Sequence, residues 1–175
     1  MNNSSFPESI SFPQAIATTQ VLMNQINANE LNEAEIQQGV SLILNSKNGG
    51  RGFFVAYLTS DLDLPDNPSP GMLNGLRSAP EMSSELLVKN LAMSSAMIIA
   101  HRHNHDAENV AGSQRVCRRT GNLIQQLDLQ LIDEKLQELQ NTIKNSCGEY
   151  QEFLESQNYD AEQKRAIHEA ISSLK

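Results

Sequence analysis

Residues Leu86–Ala100, LLVKNLAMSSAMIIA, are apolar on almost every side when they are wound as a helix. Such a helix must be covered by neighbouring elements, so the run predicts a central helix over residues 80–100 with other helices around it. The chain then changes character. Residues 101–106 read HRHNHD, and the cluster Arg115, Arg118 and Arg119 follows. Positive charge therefore concentrates directly after the most apolar segment of the chain.

The segments on either side of this run also predict helices. Ser11–Gln14 and Asp160–Gln163 have the pattern of a capping box, in which a small polar residue is followed three positions later by Gln or Glu. Ile36 and Val40 begin an apolar stripe at helical spacing. The pattern predicts an all-α fold. We expect a single-domain bundle of seven or eight helices over residues 11–175, after a disordered tail at residues 1–10.

Residues 40–58 leave two interpretations open. The run Phe53–Leu58 is aromatic and β-branched, so it could pair with residues 40–44 as a minor hairpin across Gly49-Gly50. A lone hairpin is marginally stable, and every other segment reads as helix, which favours a short buried helix at 53–58. With the preceding segment helical, Asn48-Gly49-Gly50 is expected to end that helix, whereas in a hairpin Gly49-Gly50 would form the turn.

Composition limits the partners that the protein can have. The 175 residues are 39% hydrophobic and 5% aromatic with no Trp, so the core must be mainly aliphatic. The net charge of −8 disfavours nucleic acid as a general partner. Residues 101–119, however, hold four arginines and two acids, a balance of +2 against −10 for the rest of the chain. The imbalance predicts a local site for an anionic partner.

The arginine cluster is the leading candidate for this site. Arg115, Arg118 and Arg119 are spaced i, i+3, i+4, and their mean direction lies about 130° from the apolar face of the same helix. This spacing predicts that the three guanidinium groups are exposed together, with Arg102 beside them if residues 101–109 fold back. Such a face would bind carboxylates of a partner protein. The alternative is a solvated face that is paired with acids of a neighbouring helix.

Three histidines suggest a metal site as the second interpretation. His101 and His105 share a helix face at i, i+4, but His103 then points away. In an extended strand the three would span about 13 Å, so neither conformation brings all three onto one ion. A metal or small-molecule site would need His101, His105 and a further ligand from elsewhere in the chain, either His168 or a distant carboxylate. Nucleic-acid binding through Arg102 and the arginine cluster is a weaker third interpretation.

Other features of the sequence limit the classes of protein to which the chain can belong. The two cysteines, Cys117 and Cys147, form no CxxC motif, and the first residues lack a basic and apolar leader, so a cytoplasmic protein without a membrane span is expected. Arginines on both sides of Cys117 would lower its thiol pKa, but no base is paired with it. No catalytic residue can be assigned and no cofactor is expected. The oligomeric state is left open.

Two blocks, RGFFVAYLT at residues 51–59 and LLVKNLAMS at residues 86–94, resemble a family of small helical proteins of cyanobacteria whose activity is not characterised. The resemblance covers most of residues 30–175. It implies a cytosolic helical protein in a photosynthetic bacterium and no activity. The leading hypothesis is therefore a non-enzymatic helical module that docks an acidic partner through the arginine face.

Overall fold

The computed structural model describes residues 10–174, so the predicted tail lies outside the described residues except for Ile10. The all-α class is confirmed, because every regular element in residues 10–174 is a helix. In chain order the helices are α1 (Phe12–Asn27), α2 (Glu33–Ile43), α3 (Lys47–Thr59), α4 (Pro70–Arg77), α5 (Pro80–His103), α6 (Ala107–Leu127), α7 (Gln130–Asn145), α8 (Gln151–Gln157) and α9 (Ala161–Ser172).

Helix starts follow the sequence signals closely. The Ser11 hydroxyl accepts a hydrogen bond from the Gln14 backbone N–H, and the Gln14 side chain accepts one from the Ser11 backbone N–H, which completes the predicted capping box of α1. Asp160 and Gln163 form the same reciprocal pair at the start of α9. These caps satisfy backbone donors that have no partner inside the helix, so both starts are fixed by local chemistry.

Residues 40–43 and 47–58 are helical, so the hairpin alternative is wrong. The expectation that Asn48-Gly49-Gly50 ends α2 is also wrong: α2 ends at Ile43, and both glycines lie in the first turn of α3. Their role is steric, since a Cβ at Gly49 would lie against the carbonyl oxygen of Ile43. Glycine is used here for close approach of backbone to backbone, not for a left-handed turn.

The chain divides into two compact units, one up to Ser83 and one from Ser84 onward. The prediction of a single domain over residues 11–175 stays a prediction. In the first unit, α1 packs on α3 and α2 packs on α4. Both contacts run through a glycine: a Cβ at Gly52 would lie 2.5 Å from the Ala15 Cβ, and one at Gly75 would lie 2.6 Å from the Val40 Cβ.

In the second unit, α5 is the central helix that the apolar run predicts. Within residues 82–100 only Met97 is exposed. Three other helices of this unit contact α5 through side chains. Cys117 of α6 forms a hydrogen bond with Ser94, Lys135 of α7 forms a salt bridge with Glu85, and the Gln163 amide of α9 donates to the Ala96 carbonyl. In the described part of the chain, no helix combines the length and the apolar character needed to span a bilayer.

Candidate functional site: a groove at the corner between α5 and α6

The histidine-rich segment forms a tight corner between two helices. The Asp106 backbone N–H donates to the His101 carbonyl at 3.0 Å, and the His105 N–H donates to the Arg102 carbonyl at 3.1 Å. These two bonds form a Schellman motif, with His105 in the left-handed position at φ 55°. Asp106 then caps α6, because its carboxylate accepts the Asn109 backbone N–H at 3.1 Å. The segment thus ends one helix and starts the next within three residues.

This corner does not favour the metal interpretation. α5 ends at His103, so His101 and His105 do not share a helix face as the i, i+4 spacing assumed. His103 instead lies 3.0 Å from the Glu162 carboxylate of α9. Within residues 10–174 no three His, Cys, Asp or Glu side chains lie close enough together to hold a metal ion. Of the three histidines, only His105 lies in the turn, whereas His101 and His103 belong to α5.

The prediction that the three arginines are exposed together is wrong. Arg118 is exposed and Arg115 is half-buried, but Arg119 is only 2% exposed. At 100° per residue, Arg118, Arg115 and Arg119 lie about 180°, 120° and 80° from the centre of the apolar face of α6, which explains the gradient of burial. The mean direction of the three arginines does not show that they point at such different angles from the apolar face. Each of the three also interacts with another part of the chain.

Arg102 differs from the cluster. Its side chain is exposed, and it has no hydrogen-bond or salt-bridge partner among the described residues. It lies at the rim of a groove of about 400 Å³ between the end of α5 and the first turns of α6. The groove is lined by Arg102, His105, Asp106, Ala107, Val110, Ala111 and Gln114. A guanidinium group beside an apolar wall can bind a carboxylate and cover an apolar group next to it.

The comparisons with known proteins place the chain by sequence. Residues 11–174 match the family described as "uncharacterised conserved protein UCP020893". The chain belongs to this family. No curated protein and no solved structure matches it. Family membership confirms the resemblance to an uncharacterised family, leaves the cyanobacterial origin a prediction, and assigns no activity to any residue of the groove.

One wall of the groove is visible in the sequence as a stripe of residues at helical spacing. Ala107, Val110, Ala111 and Gln114 are spaced i, i+3, i+4, i+7, so they form one stripe along α6 on the side away from its buried face. Arg118 continues the same stripe and is exposed. Only the corner at His105, however, brings Arg102 of the preceding helix to this stripe, and that turn is not visible in the helical pattern.

The half-buried Glu85 is the centre of a second polar cluster, which the sequence did not predict. Its carboxylate lies 2.8 Å from the Lys89 ammonium and 3.1 Å from that of Lys135, and it accepts a hydrogen bond from the Tyr150 hydroxyl at 3.0 Å. Burial raises the pKa of Glu85, but the hydrogen bonds from both lysines outweigh it and leave the pKa below its ordinary value. Burial and the Glu85 charge raise the pKa of Tyr150.

This cluster has the geometry of a structural staple. Glu85 and Lys89 lie on α5 and Lys135 lies on α7, while Tyr150 directly precedes α8, so one carboxylate connects three parts of the second unit. The Lys89 ammonium also lies 5.5 Å from the centre of the Phe153 ring. All these groups are engaged with one another, and the Tyr150 side chain is buried. The cluster stabilises helix packing and offers no open position for a substrate.

The pKa of the Cys117 thiol is shifted in the direction opposite to the predicted one. Its side chain is half-buried, and burial raises the pKa of its thiol, with a hydrogen bond to Ser94 acting against the increase. The neighbouring arginines do not determine the pKa of the thiol, since on a helix the adjacent positions point in other directions. A protonated thiol is a poor nucleophile, so Cys117 is a packing residue of α6.

Proposed function

We propose that the protein is a non-enzymatic helical interaction module that binds an acidic segment of a partner protein in the groove between α5 and α6. The observation that supports this is Arg102, an exposed guanidinium group at an apolar groove, with no salt-bridge or hydrogen-bond partner among the described residues. The arginines that the sequence put first interact within the chain, which moves the proposed docking site from the cluster to Arg102.

The groove offers both parts of such a contact. Arg102 presents a planar fork that matches a carboxylate, and Ala107, Val110 and Ala111 supply the apolar wall. A volume of about 400 Å³ lies near the lower end of the range for ligand pockets, so it accommodates a few side chains and not a whole helix.

Asp106 is the one acid among the residues that line the groove, and its carboxylate is hydrogen-bonded to Asn109, not to Arg102. One carboxylate oxygen accepts the Asn109 backbone N–H at 3.1 Å, and the other accepts the Asn109 side-chain amide at 2.6 Å. Hydrogen bonds from the Asn109 side chain and backbone lower the pKa of Asp106. Asp106 therefore caps α6, and Arg102 is left to meet an incoming carboxylate.

A peptide titration tests the proposal. The probes are two labelled peptides of equal length, one alternating glutamate with leucine and one alternating lysine with leucine, measured by fluorescence anisotropy against the whole protein. We expect the acidic peptide to bind more tightly, with an affinity that falls as salt is added. Charge reversal by Arg102→Glu should weaken it about 5- to 10-fold, because a partly exposed charge pair is lost and replaced by repulsion.

Arg165→Glu is the matched control, since Arg165 is also exposed and lies on α9 outside the groove. It makes the same charge change and should leave acidic-peptide affinity within about 2-fold of wild type. The proposal is refuted if the two variants weaken binding equally, because a general charge effect then explains the affinity. It is also refuted if the lysine peptide binds as well as the glutamate peptide.

The location belongs to the same proposal. A cytoplasmic protein of a cyanobacterium fits the resemblance of residues 51–59 and 86–94, and two free cysteines, Cys117 and Cys147, fit a reducing compartment. Immunoblots of fractionated cyanobacterial cells test it. We expect the protein in the cytosolic fraction, and its recovery with membranes or periplasm would contradict the assignment.

A further inference from the structure

A second cavity lies in the unit that begins at Ser84, away from the corner of α5 and α6. It has a volume of about 450 Å³ and is enclosed by the end of α6, the first half of α7 and the end of α9. Its inner wall is aliphatic, since Ile124, Leu136 and Ile171 line it and all three are buried. Its rim is polar and carries two exposed carboxylates, Asp128 and Asp133.

The charges around this cavity have one sign. None of the ten residues that line it is basic. The carboxyl ends of α6 at Leu127 and of α9 at Ser172 both meet the cavity, and such ends carry partial negative charge. The single helix start there, that of α7, has Asp133 in its first turn, so a carboxylate already opposes its partial positive charge.

The rim is also rich in neutral hydrogen-bonding groups. Gln125, Gln137 and Gln140 line it, and the Gln140 amide donates to the Ser172 hydroxyl at 3.4 Å across the gap between α7 and α9. Amide oxygens can accept hydrogen bonds from an ammonium group without adding charge. The cavity thus combines an apolar interior with carboxylate and amide acceptors at its mouth.

We propose that this cavity binds a small organic cation with an apolar body, such as a hydrophobic primary amine. The apolar part would lie against Ile124, Leu136 and Ile171, and the ammonium group would lie at the mouth between Asp128 and Asp133. A ligand of this class makes apolar contacts with the aliphatic wall and a charge interaction with the carboxylates at the mouth. An anion would meet two carboxylates and two negative helix ends, and a neutral ligand would gain no charge interaction with the two carboxylates.

Three probes that share a phenyl ring and a two-carbon linker test the charge preference on the full-length protein by isothermal titration calorimetry: phenylethylammonium, phenylethyl alcohol and phenylpropionate. The cation should bind at least about 5-fold more tightly than the alcohol, which corresponds to roughly one partly exposed charge interaction. Phenylpropionate should bind least. A double variant, Asp128→Asn with Asp133→Asn, should remove the preference for the cation over the alcohol.

The variants preserve the fold by design. Asp128 has left-handed backbone at φ 49°, a conformation that Asn adopts readily, so Asp128→Asn removes charge without strain. Glu152→Gln with Glu155→Gln, at two exposed positions of α8 outside the cavity, removes the same two charges elsewhere and should keep the preference. Equal affinity for the three probes, retention of the preference in the double variant, or no binding of phenylethylammonium at about 10 mM would each overturn the proposal.

Discussion

Replacing Gly52 with Ala should destabilise the first unit, although the same substitution is favourable in most helices. Gly52 lies inside α3 where α3 crosses α1. A Cβ at this position would lie 2.5 Å from the Ala15 Cβ, 2.9 Å from the Phe12 carbonyl oxygen and 3.0 Å from the Ile16 backbone nitrogen. Two of these three atoms belong to the backbone of α1, so α1 itself must move to make room.

The magnitude follows from two opposing terms. Replacement of a helical Gly by Ala gains about 1 kcal/mol through backbone entropy. Overpacking of a close interface costs about 1–3 kcal/mol, and the upper part of that range applies because a helix, not a side-chain tip, must shift. We therefore expect Gly52→Ala to lower the free energy of unfolding by about 2 kcal/mol.

Gly112→Ala is the matched control. Gly112 is also helical, and a Cβ there meets nothing within 4 Å, so only the entropy term applies. We expect a gain of about 1 kcal/mol and hence a change of opposite sign. Urea unfolding followed by circular dichroism measures both changes. With a slope of about 2 kcal/mol per molar, the midpoints should move by about −1 M and about +0.5 M.

Two results would refute this reasoning. The first is a midpoint for Gly52→Ala that equals or exceeds that of wild type, since α1 and α3 would then not be in backbone contact. The second comes from a double-mutant cycle with Ala15→Gly, which removes the nearest overlapping atom. The cycle should show favourable coupling of about 1 kcal/mol, and additive effects would exclude the steric explanation.

Three further predictions concern the second unit. Glu85→Ala should lower the free energy of unfolding by about 1–3 kcal/mol, because the buried Tyr150 hydroxyl and the Lys135 ammonium lose the partner they share; urea unfolding checks this, and no loss would exclude the staple. Since the pKa of Glu85 is lowered in the folded state, its contribution is complete above the unfolded pKa of about 4.3 and is lost as pH falls through the folded value. Unfolding of wild type should therefore depend on pH more steeply than that of Glu85→Gln between about pH 5 and pH 3, and parallel curves would contradict it. His105→Gly should raise the free energy of unfolding by about 0.5–1 kcal/mol, because Gly accepts the left-handed position at no steric cost; a lower value from urea unfolding would mean that the imidazole ring itself stabilises the corner.

The sequence alone predicted much of the fold because the signals involved are local. A capping box needs only residues that lie three positions apart, as at Ser11 and Asp160, and both helix starts occur where the pattern places them. The central helix was equally readable, since a run that is apolar on all sides can be stable only when it is covered. Gly49 and Gly50 were predicted to end a helix, but they lie inside α3. Glycine is common both in turns and at close contacts between backbones, and only the position of the neighbouring backbone distinguishes the two roles.

The candidate site could be predicted from the sequence only in part. The sequence located the positive charge within residues 101–119, and charge balance requires no structure. The sequence did not show which arginine is available to bind a partner. Arg118 and Arg119 are adjacent in the chain but point 100° apart on the helix, so Arg118 is exposed and Arg119 is buried. The left-handed corner at His105 then decides that Arg102 meets the stripe of α6. Local propensity sets the helices of this protein, whereas the availability of each charge depends on which atoms of other helices approach it, and only the tertiary structure specifies those distances.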